Sequence, residues 1–296
     1  MTSDYMVRAT ALGGKVRAFS MSGTGLVEEL RRRHDTSPVV TAAIGRTAMG
    51  ALLLAAASLK EAHQVLTVDV RGGGPAGRIL ATATGLGEVR GLVGNPHAHA
   101  ESIRPGKLNV RGVVGTNGYL AVTKDLGMRE PYSGMVELLS GEIGDDLAHY
   151  LVRSEQTPSA VGVGVFVVPE GFVEAAGGFL VQLLPGLSEA EAAQIEEEIA
   201  KLPHPTRLIR DGLSPEEILK RIFGDEVEPL DRYPVRFACP CSRERFQAAI
   251  VTLGSEEIER IIAEEENDRT EVVCHFCNEA YYFTPDQMQE ILEAAL

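Results

Sequence analysis

Four cysteines, and no others, occur in this chain of 296 residues: Cys239 and Cys241 as C-P-C, and Cys274 and Cys277 as C-H-F-C. Two close pairs of thiols separated by one intervening stretch can converge on a single tetrahedral ion. Zinc suits such a set, because a d¹⁰ ion without geometric demands accepts soft thiolates readily. The C-x-x-C spacing lets both sulfurs of a turn face one point, and C-x-C is one residue tighter. The alternatives are redox thiols without a metal and a pair of ordinary disulfides. Disulfides fit poorly, because the sequence opens with no charged n-region, apolar run and small-residue cleavage site, and a chain without such a leader folds among reducing buffers. The expectation is a zinc-binding protein of the cytoplasm.

Other residue groups offer weaker chemistry. Gly72–Gly77 (GGGPAG) matches G-x-G-x-x-G after a strand, but RILATAT from Arg78 reads as another strand where a dinucleotide site would need a helix, and no G-K-[ST] occurs. His97 and His99 lie beside an Asn95-Pro96 turn without a ligating partner, and read as solvated loop residues. His275, inside the second cysteine pair, reads as a surface residue with four thiols available. Asp145-Asp146 fits a pair of solvated helix charges as well as a catalytic pair. No nucleophile elbow or H-E-x-x-H occurs, and no enzyme is expected. Arg243 and Arg245 beside the first cysteine pair could lower thiolate pKa values or pair with neighbouring glutamates.

The elements that must position the thiols follow from pattern. Gly13-Gly14 joins strands over 5–12 and 15–21; a short helix runs from Thr24 to Arg33; Ser37-Pro38 caps a long apolar helix to about Leu59. Its most apolar run, 48–59, is too short to span a bilayer and reads as a buried helix. Residues 65–95 read as an antiparallel meander, 110–115 and 119–123 as a hairpin about Asn117-Gly118, 141–153 as helix, and 161–168 and 179–184 as strands. Ser188 and Ser214 open capping-box helices with apolar stripes Ile195/Ile199/Leu202 and Ile218/Leu219/Ile222/Phe223, the first ended by Pro203-His204-Pro205 and the second stopped by Gly224. Both are short and acidic, so their order must come from docking on a neighbour. Beyond Tyr233, helices over 242–253 and 256–264, a turn at 265–268, a knuckle at 272–277, a strand at 281–283 and a Thr284-capped helix make a segment small enough to need a metal staple. The class is α+β: an antiparallel sheet domain with packed helices (1–180), a helical linker (181–232) and a small zinc-binding domain (233–296).

The net charge of −14 is uneven. Residues 1–180 balance 17 basic against 17 acidic side chains, so residues 181–296 carry the whole excess. That argues against nucleic acid as the partner of the cysteine segment, since phosphate binding needs a basic face.

C-P-C-S-R-E-R-F, L-G-S-E-E-I and C-H-F-C-N-E-A-Y together resemble the heat shock protein 33 family of redox-regulated chaperones, with the order of domains matching throughout. The resemblance implies that Cys239, Cys241, Cys274 and Cys277 hold Zn2+ when reduced. It further implies that oxidation joins Cys239–Cys241 and Cys274–Cys277, releases the metal, and turns the protein into an ATP-independent holdase for unfolding client proteins that tends to dimerise. A one-residue C-x-C disulfide is expected to be strained and readily reduced. Two other readings stay open: a constitutively zinc-stapled protein with an unrecognised site in 1–180, and a zinc-ribbon nucleic-acid module.

Overall fold

A computed structural model describes residues 4–103, 106–264 and 269–295. The chain falls into two compact units, Met1–Ala238 and Cys239–Leu296. The expected turn at 265–268 lies outside the described residues.

The first unit is built around one apolar helix. β1 (Tyr5–Ala11) and β2 (Val16–Ser22) form the Gly13-Gly14 hairpin, α1 (Thr24–His34) follows, and α2 (Pro38–Ser58) runs through the interior. Ser37 caps α2 by accepting a hydrogen bond from the Val40 N–H and donating one to the Ala98 carbonyl. A helix apolar on every side must be covered on every side, and α2 is packed by strands of both sheets of this unit. By length and composition it could cross a membrane, but 94% of its most apolar window is buried inside the fold. The run at 48–59 is thus the second half of a core helix.

β3 (Val65–Arg71), β4 (Arg78–Thr84), β5 (Glu88–Val93), β6 (Tyr119–Asp125) and β7 (Tyr132–Glu137), with the later strand β11 (Arg236–Phe237), build one sheet of order β11-β5-β4-β3-β6-β7. The glycine-rich Gly72–Gly77 segment is the β3–β4 turn, and no helix opens from it. The expected strand at 110–115 is instead a short helix, α3 (Val110–Val114). Asn109 caps it through the Gly112 N–H at 2.8 Å, and Val110, Val113 and Val114 turn one buried face inward at the i, i+3, i+4 spacing of a helix. β6 pairs with β3 and with β7, a strand that the sequence pattern did not reveal.

α4 (Gly144–Arg153) follows, and its Asp146 is fully buried, accepting hydrogen bonds from the Leu139, Ser140 and Ile143 N–H groups. Asp146 therefore fastens a turn, while Asp145 is exposed. β8 (Ser159–Val167) and β9 (Val173–Leu183), with the later strand β10 (Val227–Pro234), complete the other sheet, of order β10-β1-β2-β9-β8.

The acidic stretch holds more than two helices: α5 (Glu189–Lys201), α6 (Pro205–Arg210) and α7 (Pro215–Phe223), a 3-10 turn, then β10 (Val227–Pro234) and β11 (Arg236–Phe237). Pro205 does not merely end α5. It occupies the first turn of α6, where a missing N–H costs nothing. The capping boxes at Ser188 and Ser214 are both formed. Ile195, Leu208, Ile218, Leu219 and Ile222 are buried in one cluster with Val7, Ala9, Ala11, Val16, Ala18, Phe179 and Val181. α5, α6 and α7, which fall within the first compact unit, thus cover the face of the β1-containing sheet opposite α2. At two points only glycine allows their approach: a Cβ on Gly164 would lie 2.5 Å from the His204 ring, and one on Gly177 would lie 2.2 Å from Ile209 Cδ1.

The second unit contains α8 (Arg243–Val251), α9 (Ser255–Glu264), the β12 (Thr270–Val273)–β13 (Ala280–Phe283) hairpin and α10 (Pro285–Ala294). Its buried apolar core is Ile250, Ile258, Phe283, Met288, Ile291 and Leu292. A core this size rarely secures a fold unaided.

Candidate metal centre

The second cysteine pair is placed by the β12–β13 turn. The Cys274 N–H donates to the Glu279 carbonyl at 2.9 Å, and the Cys274 carbonyl accepts from the Cys277 and Asn278 N–H groups at 3.2 and 2.7 Å. Asn278 has φ +55°, a left-handed conformation that asparagine tolerates well. This tight turn brings both sulfurs to one side. The Phe276 N–H bonds the Cys274 sulfur and the Glu279 N–H the Cys277 sulfur, as turns of this kind do around a metal. The first pair precedes α8, whose N-cap Ser242 accepts from the Arg245 N–H.

All four sulfurs lie within 4.8 Å of one another. Cys239 Sγ is 3.7 Å from Cys274 Sγ, and Cys241 Sγ is 3.3 Å from Cys277 Sγ. In a tetrahedron with metal–sulfur bonds of about 2.3 Å, adjacent sulfurs stand about 3.8 Å apart. The geometry therefore fits one four-thiolate ion, and the four cysteines could hold a metal. Among the described residues they form the single His/Cys/Asp/Glu cluster close enough to do so. His97 and His99 are exposed and stand outside it, as does His275 on the knuckle surface.

Electrostatics points the same way. Cys274 and Cys277 are 6% and 3% exposed. Burial pushes both thiols up in pKa, and the Cys239 sulfur adds to the rise at both. Four crowded thiols shed their protons only against a compensating cation. Tyr281 Oη donates to Cys241 Sγ at 3.3 Å, a contact around the ligands that sequence reading missed; the aromatic residue four positions beyond Cys277 was its one available signal. Arg243 bonds the Tyr282 carbonyl at 2.7 Å and Gln287, and stacks on Phe283 at 4.9 Å. It braces the hairpin against α10. Arg245 is exposed.

An α+β body followed by a compact four-thiol module defines a class: proteins whose thiols are gathered, at metal-binding distance, in one small unit. Comparison narrows this to one family. The model of the Hsp33 protein family matches residues 4–284, and the chain belongs to that family. It is 49% identical over 288 residues to the 33 kDa chaperonin of Bacillus velezensis, spanning 97% of this chain and 98% of the relative. The 33 kDa chaperonin of Bacillus subtilis is also 49% identical, over 97% of each chain. The crystal structure of the 33 kDa chaperonin (heat shock protein 33 homolog) from Thermotoga maritima superposes with a TM-score of 0.90 at 35% identity, covering 99% of this chain and 98% of that one. These relatives are named as 33 kDa chaperonins.

Proposed function

We propose that this chain is a redox-regulated, ATP-independent holdase. The reading divides it into a client-binding core (1–180), a conditional linker (181–232) and a thiol switch (233–296). The observation that carries it is the cluster of four sulfurs at tetrahedral spacing inside a unit with a small core of its own.

In the reduced state Cys239, Cys241, Cys274 and Cys277 hold Zn2+ as thiolates. Bound zinc supplies a cross-link between two segments separated by 33 positions, and structural zinc is worth on the order of 10 kcal/mol to small domains. Oxidation consumes the ligands: two thiolates and one hydrogen peroxide, with two protons, give one disulfide and two waters. Pairing Cys239 with Cys241 and Cys274 with Cys277 is the choice that matters mechanically. It leaves the two segments unlinked, whereas pairing across them would replace the metal with a staple. With the cross-link gone, Cys239–Leu296 unfolds, and the linker loosens after it.

The docking surface makes that consequence specific. Release of Ile195, Leu208, Ile218 and Ile222 uncovers an apolar sheet face of Val7, Ala9, Ala11, Val16, Ala18, Phe179 and Val181. Unfolding polypeptides supply the matching apolar surface. Two chains with such faces exposed would also pair, which supports a dimer in the active state. Zinc release and suppression of client aggregation should rise together on treatment with peroxide. Activity indifferent to oxidant would favour the constitutively stapled alternative.

A further inference from the structure

The sheet that carries the linker has two edges, and one is built unlike the strand beneath it. β10 lies outermost on β1, in antiparallel register from Tyr5↔Pro234 to Ala11↔Val227, with a register shift that leaves Leu230 unpaired. Gly14 N–H donates to the Ala11 carbonyl on the β2 side, and Val235 N–H donates to the Asp4 carbonyl on the other. By alternation, Met6, Arg8 and Thr10 point their peptide groups at β10, opposite Tyr233, Asp231 and Glu228. Pro229, Leu230, Arg232 and Pro234 then turn their backbone outward.

That outer edge carries every feature that discourages a further strand: two prolines without N–H groups, a bulge, and charged side chains. β1 carries almost none, with the sequence YMVRATA, one charge and no proline. β10 is held mainly at its two ends. Six of its eight residues are exposed. Val227 packs into the cluster beneath α7, and Tyr233 packs on the main core and contacts Met6. Between them the side-chain anchors are an Arg8–Asp231 ion pair open to solvent and Arg232, which stacks on Tyr5 at 3.8 Å and approaches Glu216 of α7 at 3.9 Å. Tyr5 in turn donates to Glu216 at 2.7 Å. Release of α7 therefore removes part of what holds β10.

We propose that β10 is the resident occupant of a client-binding edge, and that in the active protein an extended segment of an unfolding polypeptide replaces it as an antiparallel strand on β1. Main-chain groups of Met6, Arg8 and Thr10 supply sequence-independent hydrogen bonds, the mode of recognition known as strand addition. Alternate apolar side chains of the client join the Val7/Ala9/Ala11 row on the face that the linker covers. Arg8, parted from Asp231, selects an acidic or neutral residue opposite itself. This rests on the holdase reading above and names where and how that holdase grips.

Hydrogen exchange on the full chain tests it, with reduced, carboxymethylated α-lactalbumin as a permanently unfolded probe and aggregation of a heat-unfolding client assayed in parallel. Peroxide should lower protection of residues 227–234 and of the Met6, Arg8 and Thr10 amides by about tenfold or more. The probe should then restore protection to those three amides while 227–234 stay open. Suppressed aggregation with β10 still protected, or with the β1 amides left open beside the probe, overturns strand addition and leaves the holdase intact. Recovery of the β1 amides without probe, rising with protein concentration, assigns the edge to a second copy and overturns the client as occupant. Absence of any suppression overturns the holdase reading itself.

Discussion

Cys277 is the most deeply buried of the four thiols, and its burial works against the thiolate that a metal requires. In the proposed four-thiolate site a cation would be the condition for ionisation, so losing one ligand would expose the other three to protonation. Cys274→Ser should abolish stoichiometric zinc binding rather than weaken it slightly, and should leave residues 239–296 unprotected from exchange in the reduced protein. Tight zinc in that variant would contradict the four-ligand assignment. Tyr281 tunes the same cluster more gently. Its O–H donates to Cys241 Sγ, damping the nucleophilicity of that sulfur. Tyr281→Phe should keep the metal and, with a hydrogen bond of about 1 kcal/mol removed, speed peroxide-driven zinc release severalfold. An unchanged rate, read with a chromogenic zinc chelator, would assign Tyr281 to packing alone.

At the scale of elements, the linker is ordered by what it touches. Gly164 admits His204 and Thr206 against β8, with a Cβ there 2.5 Å from the His204 ring and 2.8 Å from Thr206 Cγ2. Gly164→Ala should cost about 1–3 kcal/mol of overpacking. It should loosen α6 and yield partial anti-aggregation activity without oxidant, measured on a heat-unfolding client with the reduced protein. α5 is pinned to the β1–β2 hairpin by Lys15–Glu191 at 2.9 Å. The Ser188 N–H first, and the Lys15 ammonium after it, hold the Glu191 carboxyl down at about 2. Its unfolded value is about 4.3, so this contribution is complete above that pH and disappears as pH falls through about 2. Protection of α5 amides should fall across that window, and Glu191→Gln should flatten the dependence.

These elements were unevenly legible in the sequence. The Ser188, Ser214 and Thr284 caps were readable because each uses a local S/T-P-x-[EQ]-type or S-x-x-E signal. α3 was misread because a valine pair and an Asn-Gly turn mimic a hairpin, while Asn109 as cap decides for helix. β7 and β10 were missed because edge strands, exposed on one or both faces, keep no apolar alternation to read. The four clustered cysteines were readable as local pairs. Tyr281's role was not, since it depends on register across the β12–β13 turn.

Across the whole molecule, the charge of −14 resides in residues 181–296, the linker and the thiol unit together. Mutual repulsion of those carboxylates opposes the compact state of that region; the docked apolar faces offset it, and a metal on the four thiols would add to that. Chelation under reducing conditions should therefore unfold Cys239–Leu296 while leaving the α2-centred core of the first unit protected, a split that exchange or limited proteolysis would resolve. Added salt should screen the repulsion and slow the loss. The central claim is that the four thiolates are a latch on client binding. Its most direct measurement is zinc and free-thiol stoichiometry during a peroxide titration, with aggregation of a heat-unfolding client followed in the same samples. The account predicts one zinc and four thiols per chain at the start, and suppression of aggregation that grows in step with the loss of both. Full suppression with zinc still bound and four thiols intact would contradict it.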